Sequence, residues 1–202
     1  MLRMISMKKK MNTQDAIVEA AFTLIARHGL KGTSLSMIAS EVGISKPAIY
    51  YYFPSKEELI DYLFHIVFDD HNFSEYFSIN EYTKENFKKR LITDGVRYFE
   101  AYKHNSPALK VVHEFVLSAA QKPRYEKKLK SIMEQFLEGF EALLSYGVEL
   151  GVISSKNTKV NAHSLALIID NLGNFMILGI EMDYKKVWET AVSHVMKGSE
   201  RF

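Results

Sequence analysis

Residues 35–53, LSMIASEVGISKPAIYYYF, constrain the fold more than any other part of this 202-residue chain. Ser34 precedes one apolar stretch at helical spacing, and Ser45 precedes a second, so each serine is a predicted helix N-cap. Gly43 ends the first stretch, because glycine reverses the chain at little conformational cost. The sequence therefore predicts two short helices, joined by a tight turn, that cross at the small residue Ala39.

This succession of a small residue, a glycine, an apolar residue and a second helix is the pattern of a helix-turn-helix. Ile49, Tyr52 and Phe53 are predicted to pack inward, whereas Tyr50 and Tyr51 face outward. Exposed tyrosines beside a lysine suit a DNA groove, where hydroxyls meet phosphates and small or aromatic side chains meet bases. An ordinary αα-hairpin within a bundle is the alternative interpretation.

The remaining composition indicates a helical protein without disulfides. The chain has 47% hydrophobic and 25% charged residues, four prolines, ten glycines and no cysteine. The absence of cysteine excludes disulfides, thiolate metal sites and a cysteine nucleophile, and it fits a cytoplasmic location. The most apolar run, residues 165–180, is interrupted by polar residues and is shorter than the ~20 residues of a bilayer span. No membrane segment is therefore predicted.

Charge is unevenly distributed along the chain. Residues 1–60 carry a net charge of +3 and residues 61–202 a net charge of −1. Residues 1–11 are predicted to be a flexible basic tail without the apolar core of a signal peptide. Its lysines at 8–10 are either solvated or form an arm that enters a DNA groove. Met1, Met4, Met7 and Met11 are alternative starts.

Beyond the helix-turn-helix, the periodicity predicts longer helices at about 56–71, 84–104, 107–120, 124–150, 160–180 and 184–198. An earlier helix is predicted from about Thr13 to His28, with Gly29 as its C-terminal stop. We predict a domain boundary within the helix at about 56–71, which Ser55 caps. Residues 12–60 then form the helix-turn-helix DNA-binding domain and residues 61–202 a larger helical domain.

The segments TQDAIVEAAFTLIARHGLKGTS and GTSLSMIASEVGISKPAIYYYFPSKEEL resemble the DNA-binding signature of the TetR (tetracycline-repressor) family of bacterial regulators. The resemblance implies an all-α fold, with an N-terminal three-helix helix-turn-helix head and a C-terminal helical bundle for ligand binding and dimerisation. It also implies a ligand-responsive repressor that binds a palindromic operator in double-stranded DNA as a homodimer, without a cofactor.

Carried onto this sequence, the resemblance implies phosphate contacts by Thr33 and Ser34, at the start of the first short helix, and by Lys56. It implies that Tyr50 and Tyr51 contact the DNA backbone or bases. The residues that it implies approach base edges are Ser45, Lys46, Pro47 and Ala48. Pro47 departs from the family pattern, in which a glycine or another small residue is common at this position.

The last two helices are the predicted dimer interface, because a single helix-turn-helix reads few bases and usually works in a two-fold dimer. The resemblance places a four-helix interface on the same helices, and an ordinary monomer core is the alternative. The predicted interface residues are Leu165, Ile168, Leu172, Phe175, Met176, Trp188 and Val192.

The resemblance further implies a pocket for a small-molecule effector in the middle of the bundle. Its candidate residues are Tyr98, Tyr102, Phe115 and Phe136. An apolar cavity with few polar groups would suit such a ligand, although aromatic residues at this spacing are also typical of core.

Catalytic and metal sites are not predicted. Asp61, His65 and Asp69 have i, i+4 spacing, but no further histidine or cysteine follows in a metal-binding pattern. The chain has neither a nucleophile elbow nor a phosphate-binding glycine loop. Two other classes remain as alternatives: a helical sensor that has lost DNA binding, and a metal-dependent enzyme built on residues 65–71.

Overall fold

The computed structural model describes residues 12–69, 72–103 and 106–197, and none of these residues lies in a strand. The predicted N-terminal tail therefore lies outside the described residues. The helices are α1 (Thr13–Gly32), α2 (Leu35–Val42), α3 (Lys46–Tyr52), α4 (Lys56–Phe68), α5 (Phe87–Lys103), α6 (Ser106–Ala119), α7 (Pro123–Glu149), α8 (Thr158–Ile177) and α9 (Tyr184–Lys197). The all-α prediction is confirmed. No helix within the described part of the chain has both the length and the apolar character needed to cross a membrane.

Side-chain caps fix the starts of the first four helices. Asn12 forms a capping box with Asp15 at the start of α1. The hydroxyls of Ser34, Ser45 and Ser55 accept backbone N–H groups at distances of 3.2, 3.3 and 3.1 Å. These bonds satisfy N–H groups that have no partner within the first turn of a helix. The two caps predicted around the short helices are therefore confirmed.

Two glycines with positive φ shape the N-terminal part of the chain. Gly43 has φ 76° and ends α2 in the left-handed conformation, as predicted. Gly29 has φ 74° and was predicted to end the first helix, but helical structure resumes after it and continues to Gly32. Gly29 is therefore a kink within α1 rather than its end.

The chain divides into two compact units, and the first comprises residues up to His71 together with Pro107–Leu129. Its core contains Ile17, Leu24, Ile38, Ile49, Leu63, Phe64, Phe115 and Tyr125. Phe64 stacks on Tyr125, with 4.1 Å between ring centroids, and meets Phe115 edge-on at 5.2 Å. The helices of the head therefore share one core with α6 and the first turns of α7. The predicted boundary near residue 60 lies inside an uninterrupted α4.

The second unit comprises Asn72–Ser106 and Lys130–Phe202. Here α9 packs on α5, and the buried indole of Trp188 donates a hydrogen bond of 3.0 Å to the carbonyl of Leu91. The predicted helices at 56–71 and 84–104 leave residues 72–83 as a break between helices. In the structure this segment contains two 3₁₀ turns and places the rings of Phe73, Phe77 and Tyr82 in the core.

A buried carboxylate anchors this segment to α5. Tyr82 donates its hydroxyl hydrogen to Asp94 at 2.8 Å, and Arg90 and Arg97 each approach the same carboxylate to 3.4 Å. Burial, reinforced by Asp94, raises the pKa of Tyr82 far above its ordinary value. The tyrosine therefore remains a neutral donor, and the buried carboxylate keeps partners on several sides.

Candidate nucleic-acid interface

The inner face of α3 packs against the other helices of the head. The side chains of Ile49 and Phe53 are buried and that of Tyr52 is half-buried. The turn before α3 is closed by a 3.0 Å bond from the Ile44 N–H to the Ala39 carbonyl. These residues are those predicted to face inward, so α3 is held as the second helix of a helix-turn-helix.

The outer face of α3 presents aromatic rings and a lysine to solvent. Tyr51 is 86% exposed and Tyr50 is 45% exposed. The ring of Tyr51 meets that of Tyr52 edge-on at 5.2 Å, which supports an otherwise unpacked ring. Lys46 and Pro47 are exposed at the start of the same helix. An exposed aromatic and cationic face of this kind can approach the edges and phosphates of nucleic acid.

The capping serines add hydrogen-bond donors around this face. Ser34 and Ser45 are exposed, and each hydroxyl oxygen accepts a backbone N–H of its own helix. A hydroxyl that accepts through oxygen still has its own hydrogen to donate. Both serines are therefore oriented by the fold and keep a donor for a phosphate, while the neighbouring Ala48 is half-buried.

Two residues that were predicted to contact phosphates, Thr33 and Lys56, form hydrogen bonds within the protein. Thr33 is only 1% exposed, and its hydroxyl donates to the Gly29 carbonyl at 2.9 Å. The ammonium of Lys56 donates to the Leu30 carbonyl at 2.7 Å, and burial lowers its pKa from the ordinary lysine value. The side chain of Thr33 is thus withdrawn from the surface, and Lys56 is directed at the turn that follows the α1 kink.

Three acidic residues in or directly after α4 are paired with basic residues near the start of α7. Asp61 accepts hydrogen bonds from Arg124 and from the Tyr125 hydroxyl. Lys128 lies 2.9 Å from Asp69, and its hydrogen bond lowers the pKa of that carboxyl. Glu57 likewise accepts from Lys122 at 2.8 Å. Asp61 and Asp69, two of the three residues considered as metal ligands, therefore form ion pairs within the protein. The described residues contain no cluster of three potential metal ligands.

The predicted dimer residues divide into two groups. Leu165, Leu172, Trp188 and Val192 are buried within the protomer, so they pack its own core. Ile168, Phe175 and Met176 are only half-buried.

A shallow groove of about 360 Å³ runs between α8 and the start of α9. Its lining consists of Leu167, Ile168, Asn171, Leu172, Phe175, Met182 and Val187. Leu167 is 66% exposed there. Met182 lies between the helices, so the helical stripe could not reveal it.

The predicted effector residues with described side chains belong to different units. Tyr98 and Phe136 lie in the second unit, and both are buried with their ring centroids 6.0 Å apart. Phe115 belongs to the first unit, where it packs among aromatic rings. The side chain of Tyr102 lies outside the described residues.

Helices α2 and α3 thus form a tightly packed helix-turn-helix whose second helix has an exposed outer face. The family model for bacterial regulatory proteins of the tetR family matches residues 17–63. Residues 17–63 are therefore similar to the DNA-binding region of the tetR family, whose members are transcriptional regulators and not enzymes.

Three similar proteins illustrate this relationship. The HTH-type transcriptional repressor KstR2 of Mycobacterium tuberculosis is 29% identical over 67% of this chain, and the match spans 66% of its own length, just under two thirds. The negative transcriptional regulator IcaR of the Staphylococcus aureus biofilm operon is 37% identical over 31% of this chain and 38% of its own length. The structure of AibR with isovaleryl coenzyme A and operator DNA has a TM-score of 0.66 at 18% identity, covering 92% of this chain and 98% of AibR.

Proposed function

We propose that this protein is a transcriptional repressor that binds a palindromic operator as a homodimer and responds to a small molecule. The exposed face of α3 is the observation that carries the proposal. Its lysine and two tyrosines project from a helix whose opposite face is buried. Both similar proteins from M. tuberculosis and S. aureus are themselves described as negative regulators, which supports repression.

The dimensions of α3 suit the major groove. An α-helix with its side chains is about 10–12 Å in diameter, which a major groove about 12 Å wide admits, and the seven residues of α3 give a length of about 10 Å. The front of the helix, Ser45–Ala48, would approach base edges, and Tyr51 would reach bases or backbone beyond them. Pro47 removes one N–H from this leading edge, so side chains supply most of the polar contacts there. Ser34 would bind a flanking phosphate.

Operator binding through Lys46 predicts a defined salt dependence. Each phosphate neutralised in B-DNA contributes about 0.9 to the slope of log affinity against log salt concentration. In a dimer, Lys46→Gln should therefore make the slope shallower by about 2. Fluorescence anisotropy with labelled DNA from the protein's own upstream region, measured across a salt series, checks this expectation.

Lys130→Gln is the matched control for this experiment, because Lys130 is an exposed lysine of the second unit. It should leave the slope unchanged. A Lys46→Gln protein with the parental slope would contradict a phosphate contact by Lys46.

A homodimer would place the apolar groove between α8 and α9 against its symmetry mate. Exposed apolar side chains concentrate around this groove, and burial of such a patch drives association. Operator binding by such a dimer would require two α3 helices about 34–36 Å apart, one helical turn of DNA. Ile168, Phe175 and Met176 remain in the proposed interface, joined by Leu167.

Leu167→Glu should convert the dimer into monomers. The substitution would introduce two unpaired charges into the interface, and we expect dimer dissociation to become at least ~100-fold more favourable. Sedimentation velocity over a concentration series measures the change. Val160→Glu is the control, because Val160 is 64% exposed on the same helix but does not line the groove. A fully dimeric Leu167→Glu protein would contradict this interface.

A small-molecule effector is proposed for the second unit. The similar structure of AibR is in complex with isovaleryl coenzyme A and operator DNA, which supports an effector site in this protein. Tyr98 and Phe136 are the candidate residues that lie together, and an apolar or amphipathic compound would suit their surroundings. A compound that raises the melting temperature and changes operator affinity would support this part of the proposal.

A further inference from the structure

The peptide groups of Leu30 are held by two side chains from distant parts of the chain. Its N–H donates to the Glu114 carboxylate at 2.6 Å, and its carbonyl accepts from the Lys56 ammonium at 2.7 Å. The partners lie 84 and 26 residues away in sequence. Both the N–H and the carbonyl of Leu30, directly after the kink in α1, are therefore held by side chains.

Gly29 makes the approach of Glu114 feasible. A Cβ atom at this position would lie 3.0 Å from the Glu114 carboxylate oxygen, and the backbone has φ +74°. Any other residue would combine backbone strain with crowding against the carboxylate. Because Gly29 has no side chain, the carboxylate of Glu114 can reach the backbone N–H of Leu30.

The bound turn leads directly into the DNA-facing helix pair. Thr33 donates both its N–H, at 3.2 Å, and its hydroxyl, at 2.9 Å, to the Gly29 carbonyl. Ser34, the next residue, caps α2 and presents its hydroxyl to solvent. A change in the turn at Gly29 and Leu30 would consequently displace the start of α2 and the serine that is proposed to bind phosphate.

We propose that Glu114, which lies on α6 outside the helix-turn-helix, is a positioning residue for operator binding. It holds the Leu30 turn so that α2 begins where its cap can meet a phosphate. Lys56 acts with it through the Leu30 carbonyl rather than through DNA. This inference rests on the proposed operator binding, which it deepens by assigning a residue beyond the DNA-contacting surface.

The charge of Glu114 makes the proposal sharply testable. Removal of a carboxylate reduces repulsion of a polyanion, so a purely electrostatic role predicts tighter DNA binding by Glu114→Ala. A positioning role predicts weaker binding, with an unchanged salt slope because no phosphate contact is lost. Glu114→Gln retains an acceptor oxygen and should preserve most of the affinity.

The experiment compares the full-length parent, Glu114→Ala, Glu114→Gln and Lys56→Gln by anisotropy on operator DNA across a salt series. Loss of a hydrogen bond to a charged group should weaken binding by Glu114→Ala about tenfold, whereas Glu114→Gln should remain within about threefold of the parent. Lys56→Gln should also weaken binding without changing the slope. Glu126→Ala removes an exposed carboxylate of the same unit and is the charge control.

Amide hydrogen exchange at Leu30 supplies a second readout that needs no DNA. It should be faster in folded Glu114→Ala protein and near the parental rate in Glu114→Gln. If Glu114→Ala protein binds DNA with the parental affinity, or exchanges the Leu30 amide at the parental rate, the role of Glu114 is overturned. If Lys56→Gln makes the salt slope shallower, Lys56 contacts a phosphate and its proposed role is overturned. If the parent binds no DNA, the proposed function fails, and the exchange rates still decide whether Glu114 holds the turn.

Discussion

Gly95→Ala should lower the free energy of unfolding by about 3 kcal/mol or more, because α5 meets the indole of Trp188 at this glycine. A Cβ atom on Gly95 would fall far inside van der Waals contact with three atoms of the indole ring. The ring is fully buried, and its nitrogen is bonded to the Leu91 carbonyl, so it cannot move without losing packing and a hydrogen bond. Urea denaturation at one fixed protein concentration measures the difference, since the stability of a dimer depends on concentration.

Gly32→Ala provides the control for a glycine-to-alanine change in a helix. Gly32 is exposed in the last turn of α1, and a Cβ atom there would only touch the Cβ of His28 at 3.4 Å. This substitution should be neutral or stabilising by up to about 1 kcal/mol. A Gly95→Ala protein as stable as the parent would contradict the close packing of α9 on α5.

Tyr51→Ala should weaken operator binding about 100-fold and leave the melting temperature almost unchanged. Each half-site would lose the contacts of one large ring, worth about 1.5 kcal/mol, and a dimer loses them twice. The folded state loses little, because the side chain is 86% exposed and its main neighbour is the edge of Tyr52. Anisotropy titrations and thermal denaturation of the same preparations test both halves of this expectation.

Tyr51→Phe separates the contribution of the ring to DNA binding from that of the hydroxyl group. If the ring provides most of the contact, the phenylalanine variant should bind within about fivefold of the parent, since it loses only the hydroxyl hydrogen bond. Parental affinity in Tyr51→Ala would mean that the exposed face of α3 is not the surface that reads DNA.

The helix-turn-helix was predictable because its signals are local. Ser34 and Ser45 cap the helices they precede, and Gly43 takes the left-handed conformation. Ile49 faces inward and Tyr51 outward, as helical spacing requires. Each of these outcomes depends on residues within a few positions of one another, so the sequence contains the necessary information.

Features that depend on distant partners were not predictable. Lys56 was predicted to bind a phosphate, and in the structure it donates to the Leu30 carbonyl, which follows the kink at Gly29. The N–H of Leu30 is bound by the carboxylate of Glu114, which lies 84 residues away in sequence. Periodicity identified the apolar stripe containing Trp188 and Val192, yet it could not reveal that this helix packs on α5 of the same protomer. The buried segment around Phe73 and Phe77 has no helical period, because it is formed by 3₁₀ turns.

Selection of bound fragments from genomic DNA by the purified full-length protein tests the central claim most directly, because it needs no assumption about the operator. We predict enrichment of an inverted repeat whose half-sites are centred about one helical turn, or a multiple of it, apart. Tyr51→Ala protein should lose this enrichment under the same salt conditions. Recovery of no common sequence by the folded parent protein, or recovery of the same repeat by Tyr51→Ala, would contradict operator recognition by the exposed face of α3.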